Sequence, residues 1–169
     1  MIRLGILYLS AICCVAGCGT TTVVNDTEPV TTVMEAVTEP NLNADDVEML
    51  AKLVWGEARG CSITEQAAVI WTALNRVDSE EPYFPDTIEA VVTQPLQFIG
   101  YDPNHPVEPD KVELARDVLT RWLSGEEGRV LPKEYVYFHG DGMRNHFRIE
   151  YEHNGLYWDW SLDSPYEEK

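Results

Sequence analysis

Two apolar helical stripes, separated by a short glycine-containing segment, constrain the fold of this chain more than any other feature. Apolar residues that recur every three or four positions mark one buried face of an α-helix. Asn43 is a suitable N-cap for the first helix, and Ser62 with Glu65 has the spacing of a capping box for the second. Gly56 and Gly60 mark the end of the first helix. The two stripes consist of Val47, Leu50, Ala51 and Val54, and of Ala67, Ile70, Trp71 and Leu74.

The pattern changes along the rest of the chain. Two further helices are predicted, a short one from residue 86 to Val92 and a longer one from Pro109 to Gly125. Residues 94–107 between them form a proline-containing loop, and long loops of this kind often carry function. Beyond residue 125, aromatic runs at 135–138, 147–151 and 156–158 alternate with the turn pairs Asp141-Gly142 and Asn154-Gly155. The sequence therefore predicts a mainly helical α+β fold with a small C-terminal antiparallel ribbon.

The N-terminal part is predicted to lie outside the compact domain. Residues 1–17 combine a positive start, an apolar run too short to span a bilayer and a small-residue end before Cys18. This pattern is typical of a lipoprotein signal peptide, in which Cys18 becomes lipidated, and an uncleaved membrane anchor is the alternative. Residues 18–41 lack aromatic residues and helical period, which favours a disordered tether or a trimmed pro-segment. We expect a membrane-anchored, extracytoplasmic protein whose domain covers residues 42–169.

Charge and cysteine content limit the possible partners of the protein and the ways in which its fold can be stabilised. With 29 acidic against 12 basic residues, the chain carries a formal charge of −17 and has no basic stripe. Nucleic acid is therefore an unlikely partner on electrostatic grounds. Cys13 and Cys14 lie in the predicted signal and Cys18 is the anchor, so Cys61 alone remains in the domain and no internal disulfide is possible. The fold must rely on its apolar core.

Glu57 is the candidate for acid–base chemistry. It lies between Gly56 and Gly60 at the end of an apolar helix, where burial can raise the pKa of a carboxyl group so that it acts as a general acid near neutral pH. An ordinary surface glutamate near a helix end is the alternative. We require an apolar setting for Glu57 and expect Trp55 and the Phe98 loop to supply it.

Five segments of the chain carry a resemblance to a known family. They are Leu53-Val54-Trp55-Gly56-Glu57-Ala58-Arg59-Gly60, Gln66-Ala67-Ala68-Val69, Leu74-Asn75-Arg76-Val77, Phe84-Pro85-Asp86-Thr87-Ile88 and Val91-Val92-Thr93-Gln94-Pro95-Leu96-Gln97-Phe98. Their order is that found in the SleB-like cell wall hydrolases, the spore cortex-lytic enzymes and their relatives, and the chain resembles that family. Residues 47–100 match well, and Tyr137-Phe138 more weakly.

The resemblance implies a lysozyme-like, lytic-transglycosylase-like domain that cuts peptidoglycan between N-acetylmuramic acid and N-acetylglucosamine. The glutamate of the family's motif carries over onto Glu57 as the catalytic acid. One carboxyl group suffices if the C6 hydroxyl of muramic acid is the nucleophile and the substrate's acetamido group assists. We expect a monomer that needs no cofactor. The candidate substrate-binding residues, chosen for their amides or sugar-stacking rings, are Gln97, Phe98, Asn75, Tyr137, Gln94 and Tyr101.

Three other functions compete with this one. A zinc-dependent amidase would need two or three of His105, His139, His146 and His153 as ligands, and these do not form an HExxH-type pair. A cysteine peptidase would use Cys61 as nucleophile and His139 as base. A wall-binding lipoprotein without activity would leave Glu57 facing solvent, with no groove beside it.

Overall fold

The computed structural model describes residues 40–125, 127–152 and 155–166. The predicted signal peptide, Cys18 and almost all of the predicted tether lie outside the described residues. No helix of the described part is both long and apolar enough to cross a membrane. Four helices precede a two-stranded antiparallel sheet in this part of the chain, which confirms the mainly helical α+β prediction. The helices are α1 Ala44–Ala58, α2 Ile63–Val77, α3 Ile88–Val92 and α4 Pro109–Leu123, and the strands are β1 Tyr137–Gly140 and β2 Asn145–Arg148.

Three of the four helices begin at a residue that caps them with its side chain. Asn43 Oδ1 accepts the N–H of Asp45, Ser62 Oγ accepts that of Glu65, and the Thr87 hydroxyl accepts that of Ala90. Such caps satisfy backbone donors that the first helical turn leaves unpaired. Helix α4 has no side-chain cap and instead begins with a proline, whose missing N–H costs nothing at that position.

The apolar faces of the helices form one core. Helix α1 packs against α2, α3 and α4, and α2 also contacts α3 and α4. Trp71 is fully buried at the centre of α2, with the guanidinium of Arg129 4.2 Å above its ring. The predicted stripes supply much of this core, which is why the spacing of apolar residues predicted the helices well. The buried stripe residues are Val47, Leu50, Ala51 and Val54 of α1, and Ala67, Ile70, Trp71 and Leu74 of α2.

The strands pair next to the predicted Asp141-Gly142 turn, and their positions correct the sequence prediction. Gly140 pairs with Asn145 and Tyr137 with Arg148, so pairing covers 137–140 and 145–148 instead of 135–138 and 147–151. Asp141 Oδ1 accepts the N–H groups of residues 143 and 144, which makes the turn tight. The carbonyl of Tyr135 accepts a hydrogen bond from α2, so the chain there is bound to the helix and not to the sheet.

The predicted third strand at residues 156–158 is absent. Trp158 donates its backbone N–H to Phe147, but no ladder follows. The chain instead turns back to α2 and α4, where Ser164 bonds to Thr64 and the Tyr166 hydroxyl donates to Asp117. Asn154, half of the predicted turn, lies outside the described residues.

Candidate active site

Glu57 lines a cleft between the end of α1 and the tip of the β1–β2 hairpin. This glutamate cleft has a volume of about 330 Å³. Its two walls come from distant parts of the chain, because α1 supplies one and the hairpin the other. The lining residues are Gly56, Glu57, Ala58, Arg59, Gly60 and Cys61 on the α1 side and Gly140, Gly142, Met143, Arg144 and Asn145 on the hairpin side.

The carboxyl group of Glu57 is half-buried and held by one backbone donor. The N–H of Gly100 donates to Glu57 Oε1 at 2.6 Å. Desolvation by burial raises the pKa of Glu57 above its ordinary value, against the smaller lowering effects of the Gly100 hydrogen bond and the positive charge of Arg76. No donor among the described residues binds Oε2, so this oxygen is available to a group in the cleft.

Gly100 reaches Glu57 because the loop of residues 94–107 packs directly on the backbone of α1. A Cβ placed on Gly56 would lie 1.9 Å from the carbonyl oxygen of Gly100, and a Cβ on Gly100 would lie 2.7 Å from that of Gly56. Both positions therefore require glycine for this close approach. His105 Nε2 bonds to the Gly100 carbonyl oxygen at 2.7 Å, and its ring lies 4.2 Å from that of Trp55. These contacts fix the loop against the helix end.

A second cleft lies on the other part of β1. This arginine cleft has a volume of about 570 Å³, and β1 borders both clefts, since Gly140 lines the first and Tyr137 and Phe138 line the second. Glu57 is the one carboxylate among the described residues that line either cleft. The lining residues of the arginine cleft are Arg76, Tyr83, Pro95, Leu96, Gln97, Ile99, Tyr137, Phe138, Arg148 and Tyr151.

Arg76 connects the two clefts electrostatically. It is 3 % exposed, donates from Nε to the carbonyl oxygen of Val136 at 2.7 Å, and lies 4.5 Å from the ring centre of Phe98. Burial lowers the pKa of its guanidinium to about 10, so the group stays charged at neutral pH. Its charge acts on Glu57, which places the acid close to the aromatic, positively charged side of the site.

The six predicted substrate-binding residues fall into three groups. Gln97 and Tyr137 line the arginine cleft, and the amide of Gln97 donates to the Tyr83 hydroxyl at 2.7 Å. Phe98 is buried beneath the Arg76 guanidinium, and Gln94 donates to the backbone of Tyr83, so both support the wall without lining a cleft.

Asn75 and Tyr101 lie away from both clefts. Asn75 is 2 % exposed, and its amide donates to the carbonyl oxygens of Pro132 and Tyr135 while its Oδ1 accepts from Arg129. Every part of this amide is occupied by the protein, which gives it a structural task. Tyr101 packs against the core near Lys52.

Trp55 and the Phe98 loop were expected to surround Glu57 with apolar groups. The loop contributes the Gly100 N–H, whereas Trp55 lies against His105 and beneath Arg59, whose guanidinium is 4.5 Å from the indole ring centre. Trp55 also donates from Nε1 to Glu108. The tryptophan therefore holds the loop and α4 to α1.

Cys61 lines the glutamate cleft but has the properties of an inert thiol. Desolvation, together with a hydrogen bond and a negative charge from Glu65, raises the pKa of Cys61 to about 12. Its sulfur also lies 3.9 Å from Asn145 Nδ2. His139, its proposed base, stacks on His146 at 5.2 Å instead. This geometry does not support a cysteine peptidase.

The described histidines of the zinc hypothesis make other contacts. His105 bonds to Gly100, His146 bonds to Asp141 at 2.8 Å, and His153 lies outside the described residues. Within the described ranges, no group of three or more His, Cys, Asp or Glu side chains is arranged to hold a metal ion.

Sequence reasoning missed three residues that build the site. Glu65 accepts the N–H of Asn145 at 2.6 Å and so ties β2 to the start of α2, although its spacing predicted only a capping box. Gly100 carried no local signal, because its partner Gly56 is distant in sequence. Arg148 is buried in β2 next to the buried Phe147, so alternation along the strand would have assigned it to the exposed face, and no local signal indicated its burial.

Comparisons with known proteins identify a family that the chain matches. A family model described as cell wall hydrolase matches residues 60–155, more than half of the chain. The match begins at Gly60, so Glu57 lies just before it. No solved structure matches the chain significantly.

Spore cortex-lytic enzymes are among the similar proteins. The one from Halalkalibacterium halodurans is 37% identical over 84 residues, which is 49% of this chain and 24% of the relative. The Bacillus subtilis enzyme is 34% identical over 86 residues, 49% of this chain and 28% of the relative. The enzyme from Oceanobacillus iheyensis is 37% identical over 81 residues, which is 46% of this chain and 29% of the relative. The matched part of the chain thus spans about a quarter of the length of these curated relatives.

Proposed function

Because the chain belongs to the cell wall hydrolase family, we propose that it cleaves the glycan strand of peptidoglycan between N-acetylmuramic acid and N-acetylglucosamine, with Glu57 as the acid. The observation that carries this proposal is a half-buried glutamate in an open cleft, whose pKa desolvation raises. A protonated carboxyl group is what the glycosidic oxygen requires at near-neutral pH.

The first step is protonation of the leaving oxygen. Glu57 Oε2 gives its proton to the oxygen that joins C1 of muramic acid to C4 of the next sugar. The C1–O bond breaks, and the acetamido oxygen of muramic acid can stabilise the positive charge at C1. The Gly100 N–H keeps the carboxyl group oriented and stabilises the carboxylate that remains.

The second step regenerates the acid. Glu57, now ionised, takes the proton of the C6 hydroxyl of the same muramic acid while that oxygen attacks C1, which closes a 1,6-anhydro ring. This lytic transglycosylase route is favoured because no second carboxylate lines either cleft in the described part of the chain. A glycosidase that activates water normally uses a second acidic residue for that purpose.

The partner and location follow from the substrate. Peptidoglycan lies outside the cytoplasm, so the proposed reaction takes place there, and lipidation of Cys18 would keep the enzyme at the membrane facing the wall. The spore cortex is one such wall, and the named relatives are spore cortex-lytic enzymes.

Digestion of purified peptidoglycan, followed by mass spectrometry of the products, tests the proposal. Anhydro-muramic ends are expected. Reducing muramic ends would indicate hydrolysis of the same bond instead of transglycosylation. Freed stem peptides would indicate an amidase. A protein that binds peptidoglycan but releases nothing would be a binding lipoprotein.

A further inference from the structure

The arginine cleft carries the positive charges of Arg76 and Arg148, and neither side chain transfers a proton in the two proposed steps. We propose that Arg76 and Arg148 form a subsite for a carboxylate carried by the muramic acid residue or its peptide stem. This inference rests on the proposed function, since it concerns how the same substrate is held beside Glu57.

The cleft is positive in a strongly acidic protein. The chain has a formal charge of −17, yet two arginines and no acidic residue line this cleft among the described residues. Side chains with negative charge therefore cover other surfaces, while this one is left to attract anions. A neutral sugar alone would not call for such a pair of guanidinium groups.

Both guanidinium groups are buried with part of their hydrogen-bonding capacity unused. Arg76 is 3 % and Arg148 is 5 % exposed. Arg76 donates to Val136 and Arg148 to Tyr151, both through backbone carbonyl oxygens. Arg76 Nη1 and Arg148 Nε have no partner in the described structure, and neither side chain has an ion pair with a described carboxylate. Buried cations without a counter-ion are costly, so a bound anion would stabilise both.

The surroundings suit a carboxylate attached to a sugar. A planar guanidinium can bind both oxygens of a carboxylate at once. Tyr83, Tyr137 and Tyr151 also line the cleft and offer ring faces for a sugar or peptide. The exposed side chains of Leu96 and Ile99 add an apolar rim.

The position of the cleft selects the muramic acid side of the bond. Strand β1 borders both clefts, and the Arg76 charge acts on Glu57. We therefore assign a carboxylate bound in the arginine cleft to a residue next to the bond that is cut. N-acetylglucosamine carries no carboxyl group, whereas muramic acid carries a lactyl carboxyl group or, where that is amidated, the carboxyl groups of its stem.

Binding of small glycans tests the subsite without turnover. The disaccharide N-acetylglucosaminyl-N-acetylmuramic acid lacks the bond that the proposed reaction cleaves, so it stays intact with the wild-type protein. Calorimetry would compare its free acid with its methyl ester, and a stem-bearing L-Ala-D-Glu form with the methyl ester of that form. We expect the free acid of one pair to bind about tenfold more tightly than its ester, as a charge-assisted contact allows. The pair that shows the difference identifies lactyl or stem carboxylate as the ligand.

Variants connect that difference to the cleft. Arg148→Gln should reduce the acid-to-ester ratio to about one, and Arg148→Lys should restore part of it. Arg116→Gln, on the exposed surface of α4, is the matched control and should keep the wild-type ratio. If Arg148→Gln fails to fold, the acid-to-ester ratios of the wild-type protein and of Arg148→Lys still test the subsite. The ratio of Arg148→Lys should then be lower than that of the wild type, and an equal ratio would overturn the subsite.

The outcomes separate this inference from the proposed function. Equal binding of acid and ester in both pairs, or no binding of any, overturns the subsite even if the protein digests peptidoglycan. A ratio that Arg148→Gln leaves unchanged also overturns it. An acid preference in a protein that releases no product supports the subsite and contradicts the cleavage proposal.

Discussion

The end of α1 and the start of α2 each present a glutamate to a distant backbone amide, but the two carboxyl groups differ in task. Glu57 accepts from Gly100 and Glu65 from Asn145, both at 2.6 Å. Glu65 lies in the first turn of its helix, where the helix dipole favours negative charge, and it is 8 % exposed. Glu57 lies in the last turn of its helix, where the dipole disfavours that charge, and it faces a cleft.

The same hydrogen bond therefore has two consequences. At the start of α2 it joins β2 to the helices and so places the hairpin wall of the glutamate cleft. At the end of α1 it orients the carboxyl group of the proposed acid. Burial raises the pKa of that group and so favours its protonated form. The contact alone does not distinguish a structural carboxylate from the proposed acid. The helix end and the open space beside Glu57 are what set the two apart.

Removal of the Glu57 carboxyl group should give the largest effect. Glu57→Gln keeps the size and the acceptor for Gly100 but cannot donate a proton as an acid, so activity on peptidoglycan should fall about 1,000-fold. Unfolding in urea should show a variant at least as stable as wild type, since a desolvated charge is removed. Wild-type rates of product release from this variant would exclude Glu57 as the acid.

The contact between Gly56 and Gly100 is the next point to break. Gly56→Ala places a methyl group 1.9 Å from the Gly100 carbonyl oxygen, so the loop must move from Glu57. We expect activity to fall more than tenfold and the free energy of unfolding to drop by about 1–3 kcal/mol. Gly60→Ala is the control, because a Cβ there meets no atom within 4 Å. Equal effects of the two substitutions would contradict this account.

Glu65 tests the structural half of the comparison. Glu65→Ala leaves the N–H of Asn145, a residue only 5 % exposed, without its acceptor. The free energy of unfolding should fall by about 1–3 kcal/mol. Activity on peptidoglycan should fall less than tenfold. Glu65→Gln retains an acceptor oxygen and should recover most of the stability. A loss of activity as large as that of Glu57→Gln would assign chemistry to Glu65 as well.

The pH dependence sharpens the contrast further. Because burial raises the pKa of Glu57, kcat/KM should fall as pH rises through a pKa above that of an ordinary glutamate. Arg76→Met removes a charge that lowers this pKa, so its alkaline limb should lie at higher pH. Ionisation of Glu57 also subtracts stability in that range, since the folded state binds the proton more tightly than the unfolded state. The advantage of Glu57→Gln in unfolding experiments should therefore grow with pH, and a constant difference would argue against a raised pKa.

Cys61 should give the smallest effect. Its thiol is neutral at working pH because burial and Glu65 raise its pKa to about 12. Cys61→Ser should keep activity within about twofold, as measured by the same peptidoglycan assay. Loss of activity in a Cys61→Ser variant that folds normally would support the cysteine peptidase hypothesis.

Local signals predicted the helices and part of the site. Side-chain caps at Asn43, Ser62 and Thr87, and the proline at the start of α4, act within one helical turn and can be identified from the chain alone. The strand limits were wrong because the backbone of residues 135 and 136 is bound by Asn75 and Arg76 of α2, a contact between distant segments. The same distance in sequence explains why these contacts of Asn75 could not be predicted from the chain.

The sequence by itself determined the helices, the apolar faces that pack them, the family resemblance and the choice of Glu57, because these depend on spacing along the chain. The tertiary structure decided which groups surround Glu57. Gly100, Arg76 and Asn145 come from three separate segments, and they come together around Glu57 only once the loop and the hairpin are packed on the helices. Electrostatics and desolvation act through space, and a pattern of neighbours along the chain does not contain that information.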